Sequence, residues 1–165
     1  MTRLRTFLRD ENGAAAAEMA LMIPLLLTLM FVGFEAGHYF YQEQKIIKAV
    51  REGARYAGRL SFSNYQCGSA TDGTAVTLVR NVTRTGLPAG TDAPRIAGMA
   101  ADDITVTHRC DATYEDAGIF RGTTGGAPIV LVQARADYNS LFEQLGLIDS
   151  SAIVQASAEA VVNGI

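Results

Sequence analysis

The sequence predicts an α+β fold: one long N-terminal helix, transmembrane and then amphipathic, packed on a small antiparallel sheet. Three observations carry this. Ala14 to Phe34 form an apolar run whose single charged residue is Glu18. From Tyr39 to Ala57 apolar residues recur at three- and four-residue spacing. Three later segments alternate apolar and polar side chains as half-buried strands do.

The first run is 21 residues long. As a helix rising about 1.5 Å per residue, that length matches a bilayer core of about 30 Å. An ionised carboxylate costs at least ~2.5 kcal/mol near the bilayer centre and less near the interface. Glu18 lies early in the segment, on the interfacial side, and an acid there points to a function with a partner cation. The competing reading is an ordinary signal anchor that tolerates an edge charge, which leaves the spacing from Gly13 unexplained. A cleaved secretory signal would have a shorter apolar core and an A-x-A-like site. Pro24, in the middle of the run, removes one backbone donor and is expected to kink or locally open the helix. That kink is either harmless or serves extraction from the bilayer and packing in a filament.

Residues 14–35 are thus read as a transmembrane helix and residues 36–59 as its amphipathic continuation. Ile46, Ile47, Val50, Gly53, Ala54 and Ala57 share one side, while Lys45, Lys48, Arg51, Glu52, Arg55 and Arg59 fill the other. Gly58 supplies a stop. Residues 60–165 form the expected external globular α+β domain. Ser61 to Gly73 is a polar loop. Asp72 can cap a helix to about Thr85 that Gly86-Leu87-Pro88 ends, although its β-branched residues make a strand the alternative. Ala89 to Ala101 reads as a Pro/Gly/Ala loop. Strands are expected over 104–110, 129–138 and 153–162. A capping box at Ser140 to Glu143 opens a short helix that Gly146 can close.

Net charge is −3, with 14 basic and 17 acidic side chains, and no basic patch or aromatic platform points to nucleic acid. Arg3, Arg5 and Arg9 favour a cytoplasmic N-terminus, whereas Lys45, Lys48, Arg51 and Arg55 argue the other way. Glu35 at the distal end of the run, and the two cysteines, decide between them. Cys67 and Cys110 both lie in the C-terminal part, and an even count outside the cytoplasm suggests a disulfide, two free buried thiols being the alternative. Closing such a loop would stabilise by roughly 4 kcal/mol in the chain-entropy model.

Catalytic signals are sparse, and an enzyme is not expected. His38, at the membrane boundary, and His108, in a strand, read as structural. Gly122 to Gly126 lacks the lysine and the strand–helix context of a phosphate loop and reads as a hairpin connection. Asp111, Glu115 and Asp116 match no calcium-loop spacing and read as a solvated acidic loop. No metal ligand set and no cofactor is expected.

The stretch Gly13-Ala14-Ala15-Ala16-Ala17-Glu18-Met19 resembles a prepilin processing site, in which a membrane aspartic peptidase cuts after the glycine and the mature chain carries Glu as its fifth residue. With the long helix and the stretch Val50-Arg51-Glu52-Gly53-Ala54-Arg55, the chain resembles the TadE-like family (TadE/TadF) of the tight-adherence (Tad/Flp) pilus system. Met19 departs from the short major pilin of that system, which usually has an aromatic residue after the acid. The resemblance implies a pilin-like fold, a cytoplasmic leader over 1–13 cleaved between Gly13 and Ala14, and an assembly role for Glu18. Losing residues 1–13 removes three arginines and two acids, leaving 11 basic and 15 acidic side chains.

The implied function is that of a minor pilin or pseudopilin of a type IV-like pilus, supporting pilus assembly, surface adhesion and secretion. Implied partners are the major pilin, other minor pilins, the prepilin peptidase and the inner-membrane assembly platform. The implied location is the inner membrane, single-pass, with the C-terminal domain periplasmic and incorporation into an extracellular pilus. In that scheme the freed amine of Ala14, a cation with a reference pKa of about 7.7–8.0, meets Glu18 of a neighbouring subunit. The rival class is a bitopic, membrane-anchored periplasmic binding protein that does not polymerise.

Overall fold

The structure, a computed structural model, describes residues 11–142 and 152–164. Its first element is a 47-residue helix, α1 (Glu11–Ala57). At about 1.5 Å per residue it is about 70 Å long. Two environments divide it. From residue 13 to residue 34 every side chain is exposed except Phe31, which is half-buried. From Ile46 onward one side is interior, with Ile46, Ala49, Val50, Ala54 and Ala57 buried, while Lys48, Arg51 and Arg55 face solvent. The expected change from all-round apolar to amphipathic helix is therefore present. Pro24 does not break the assigned helix. Its missing N–H leaves only the Ala20 carbonyl without the usual partner, and the Thr28 hydroxyl donates to the Pro24 carbonyl at 2.8 Å.

The second helix, α2 (Gly73–Thr85), settles the helix-or-strand alternative. Asp72 Oδ1 accepts from the N–H groups of Thr74 and Ala75, at 2.8 and 3.0 Å. Gly86 closes the helix in the left-handed conformation, φ 93°. The threonines that favoured a strand are accommodated by donating to carbonyls four residues back, Thr77 to Gly73, Thr83 to Val79 and Thr85 to Asn81. Ala75, Val79 and Val82 are buried. Gly53 is where α1 and α2 meet: a Cβ there would strike the side chain of fully buried Thr83.

Three strands, β1 (Ile104–Asp111), β2 (Ala127–Asp137) and β3 (Ile153–Val161), form an antiparallel sheet in the order β1-β2-β3. The alternation read from the sequence becomes cross-strand rows such as Val106–Val132–Ala158 and Ile104–Ala134–Ala156. Alanines along β3 keep that part of the inner face shallow, which lets α1 lie close. At the far end of α1, Asn163 N–H donates to the Gly58 carbonyl at 2.7 Å. Tyr138 and Val162, one residue beyond β2 and β3, are buried as well.

β2 starts two residues earlier than its alternation indicates, because Ala127 and Pro128 pair with Asp111 and Cys110. The 89–101 segment is a loop but not a purely polar one, since Ile96 and Met99 are 2% and 1% exposed and join the core. Arg95 ion-pairs with Glu52 and fastens this loop to α1. The capping box at Ser140 lies partly outside the described residues, as does the Gly146 stop. Within them, Ser140 Oγ accepts from Phe142 N–H at 3.2 Å.

Candidate functional site

Two carboxylates bracket the apolar part of α1. Glu18 and Glu35 are 17 residues apart, about 25 Å along a helix. Their surroundings are opposite. Gly13, Ala14 and Glu18 are exposed, and a side chain at Gly13 would meet nothing within 4 Å. Among the described residues Glu18 makes no ion pair. A polypeptide segment so bare is accessible to an enzyme or to a neighbouring helix.

Glu35 is 1% exposed. The Tyr138 hydroxyl donates to its Oε1 at 2.8 Å. Its Oε2 accepts the backbone N–H groups of Leu141 and Phe142, each at 3.2 Å. An unpartnered carboxylate in such a place would cost several kcal/mol, and three donors offset that. The network continues along α1. Because the Tyr138 proton points at the carboxylate, His38 Nδ1, 3.1 Å from the Tyr138 oxygen, is the donor between them. His38 Nε2 then accepts from Gln42 Nε2 at 3.3 Å. Burial first, then the Glu35 hydrogen bond and charge, push the Tyr138 phenol well above its usual range. Rings complete the joint: Tyr39 lies 5.2 Å from Tyr138, and Phe31 lies 5.0 Å from Phe142.

At the opposite end of the domain Cys67 and Cys110 are joined, with Cα atoms 5.9 Å apart. Gly125, at φ 88°, lies against the bridge, and a Cβ there would stand 2.6 Å from that of Cys67. A β-carbon at that position would be strained both by its backbone angle and by the cystine. His108 fastens the same loop. The Thr71 hydroxyl is 2.7 Å from His108 Nδ1, and Nε2 donates to the Gln66 carbonyl at 3.2 Å. The acidic segment is turned inward on itself: Asp111 Oδ1 accepts from Thr113 N–H at 3.0 Å, and hydrogen bonding to the Thr113 side chain first, then to this N–H, holds the Asp111 carboxyl below its usual value. Glu115 Oε1 accepts from Gly125 N–H at 3.4 Å. Among the described residues no cluster of three His, Cys, Asp or Glu side chains could hold a metal.

The sequence singled out Gly13, Ala14, Glu18, Cys67 and Cys110, and the structure places the first three at one end of α1 and the cysteines at the far side of the sheet. It missed the Glu35 network. Glu35 reads in sequence as a flanking charge, yet its partners lie 103 to 107 residues away. The one local hint is Tyr138, which ends the β2 alternation on the buried side.

α1 is long and apolar enough to cross a membrane. The family model described as TadE-like protein matches residues 13–55. This segment is similar to the TadE-like family. It begins at Gly13, contains both Glu18 and Glu35, and ends within the amphipathic half of α1, in agreement with the resemblance drawn from Gly13, Glu18 and the stretch from Val50 to Arg55. Neither a curated protein nor a solved structure matches the chain. The TadE-like family is associated with the Tad pilus, and the match to it covers residues 13–55 alone.

Proposed function

We propose that this chain is a minor pilin or pseudopilin of a Tad/Flp pilus, supporting pilus assembly, surface adhesion and secretion. The observation that carries the reading is the register of Gly13, Ala14 and Glu18 at the exposed start of a TadE-like helix. Cleavage after Gly13 leaves Ala14 as the first residue and Glu18 as the fifth. The new amine and the Glu18 carboxylate are then complementary between neighbouring subunits. In an apolar surround a misplaced subunit leaves an unpaired charge, at a cost of about 3–5 kcal/mol. The partners in this scheme are the peptidase, the inner-membrane platform, the major pilin and other minor pilins. Residues 14–35 span the inner membrane, and residues 60–165 are periplasmic before assembly.

N-terminal sequencing of the protein from cells that contain the peptidase tests the first step. The expected mature chain begins at Ala14, and a chain still beginning at Met1 would remove the pilin reading. Copurification with major pilin, combined with labelled electron microscopy, separates a filament subunit from an anchored protein that never polymerises.

A further inference from the structure

The turn after β2 reaches back past Glu35 to the apolar run. Phe142 lies 5.0 Å from Phe31 with the rings tilted at 59°, and this contact covers the one half-buried residue of the otherwise exposed 13–34 stretch. Phe31 precedes Glu35 by four residues, about 6 Å along the helix axis. The turn therefore lies alongside the end of the segment read as bilayer-spanning. Beside Phe142, Leu141 is 54% exposed.

Three features suit this turn to a lipid interface. Two of its three side chains, Leu141 and Phe142, are apolar, and the third, Ser140, holds its hydroxyl against the Phe142 N–H. The N–H groups of Leu141 and Phe142 are already taken by Glu35 Oε2, so those two need no water. On the helix above, exposed Tyr41 carries the Lys45 ammonium 5.3 Å from its ring centre, an aromatic and a snorkelling cation of the kind that mark a membrane surface. Exposed Asp137, just before Tyr138, sets the upper limit of immersion.

We propose that the turn at residues 140–142 is a second membrane contact, seated in the bilayer interface beside α1, so that the globular domain is held against the lipid surface. The occupant is the bilayer that α1 spans, and the proposal rests on that spanning. Glu35 joins the two contacts: its carboxylate takes the turn's amide protons and fixes the turn to the helix at the depth of Phe31.

The chain contains no tryptophan, so a single introduced indole reports its own surroundings. Full-length protein carrying Leu141→Trp is reconstituted in phosphatidylcholine–phosphatidylglycerol vesicles. A fraction of the lipid carries bromine either near the carbonyl end or near the tail of the acyl chain. Leu26→Trp serves as the deep reference. Tyr114→Trp, beyond the opposite end of the sheet, serves as the remote one. All three positions are exposed, at 54%, 56% and 49%, so the indole displaces no core side chain.

The expected result is a blue-shifted Leu141→Trp emission that loses more intensity to shallow bromine than to deep, with the reverse order for Leu26→Trp and no loss for Tyr114→Trp. A Leu141→Trp emission as red and as unquenched as that of Tyr114→Trp, with Leu26→Trp quenched, would overturn the contact while leaving the spanning helix in place. A blue shift without quenching would place residue 141 against protein, such as a second copy, and would also overturn it. Loss of quenching at Leu26→Trp would remove the spanning segment itself, and the contact with it.

Discussion

The Tyr138 hydroxyl and the Glu35 carboxylate meet at 2.8 Å across 103 residues of sequence, joining the end of β2 to the middle of α1. Truncating either partner alone takes from the other its shortest hydrogen bond in a buried place. Tyr138→Phe is expected to destabilise the domain by roughly 1–3 kcal/mol, and Glu35→Ala by more, since it also removes the acceptor of Leu141 N–H and one of the two acceptors of Phe142 N–H. A double-mutant cycle on the full chain in detergent, read by thermal unfolding, should give a coupling of about 0.5–3 kcal/mol. Strict additivity of the two losses would show that the hydrogen bond contributes nothing.

Tyr65 is the contrasting case. It is 1% exposed, and its hydroxyl has no hydrogen-bond partner among the described residues. Tyr65→Phe is therefore expected to be neutral or stabilising near pH 7. Burial pushes the Tyr65 phenol up to about 12 from 10.0. In the unfolded chain the group ionises at its ordinary value, so its contribution is intact below pH 10 and is lost as pH rises towards 12. Unfolding midpoints between pH 9 and 12 should fall in the wild type and fall less in Tyr65→Phe. Equal slopes would assign the alkaline loss to other groups.

The cystine predicts a compartment as well as a stability. Material from the native compartment is expected to give a Cys67–Cys110 peptide on non-reducing mass mapping. The double variant Cys67→Ser/Cys110→Ser should lose on the order of 4 kcal/mol in the chain-entropy picture. Free thiols at both positions in native material would remove the periplasmic placement along with the bridge.

Glu18→Ala should separate assembly from insertion. Removing the acid makes the apolar run more apolar, so membrane insertion is expected to hold or improve. Cleavage after Gly13 should persist, while pilus yield and surface attachment fall at normal levels of processed protein. Normal piliation with normal abundance of the variant would make Glu18 an ordinary edge carboxylate.

The elements that were legible in the sequence are those whose signals are local. Asp72 and Gly86 delimit α2 by their own hydrogen bonds and backbone angle, and Gly58 ends the long helix within one residue. Alternation located all three strands because one sheet face is buried and the other is not. What escaped depends on distant partners. Ile96 and Met99 sit among prolines and glycines, and only the completed core shows why they are apolar. Glu35 looks like a flanking charge until Tyr138, Leu141 and Phe142 arrive to surround it. The candidate processing residues are a reading of another kind, since their spacing along one exposed helix involves no tertiary contact.

The unbroken course of α1 has a mechanical consequence. Because one continuous helix joins Glu18 to the sheet, a pull or twist at the N-terminal end is passed to the domain along that helix. The bearing of the sheet about the helix axis is then set by a count of residues. One residue inserted between Glu18 and Glu35 would swing the sheet through about 100° relative to the N-terminal acid, whereas seven would bring it back to within about 20°.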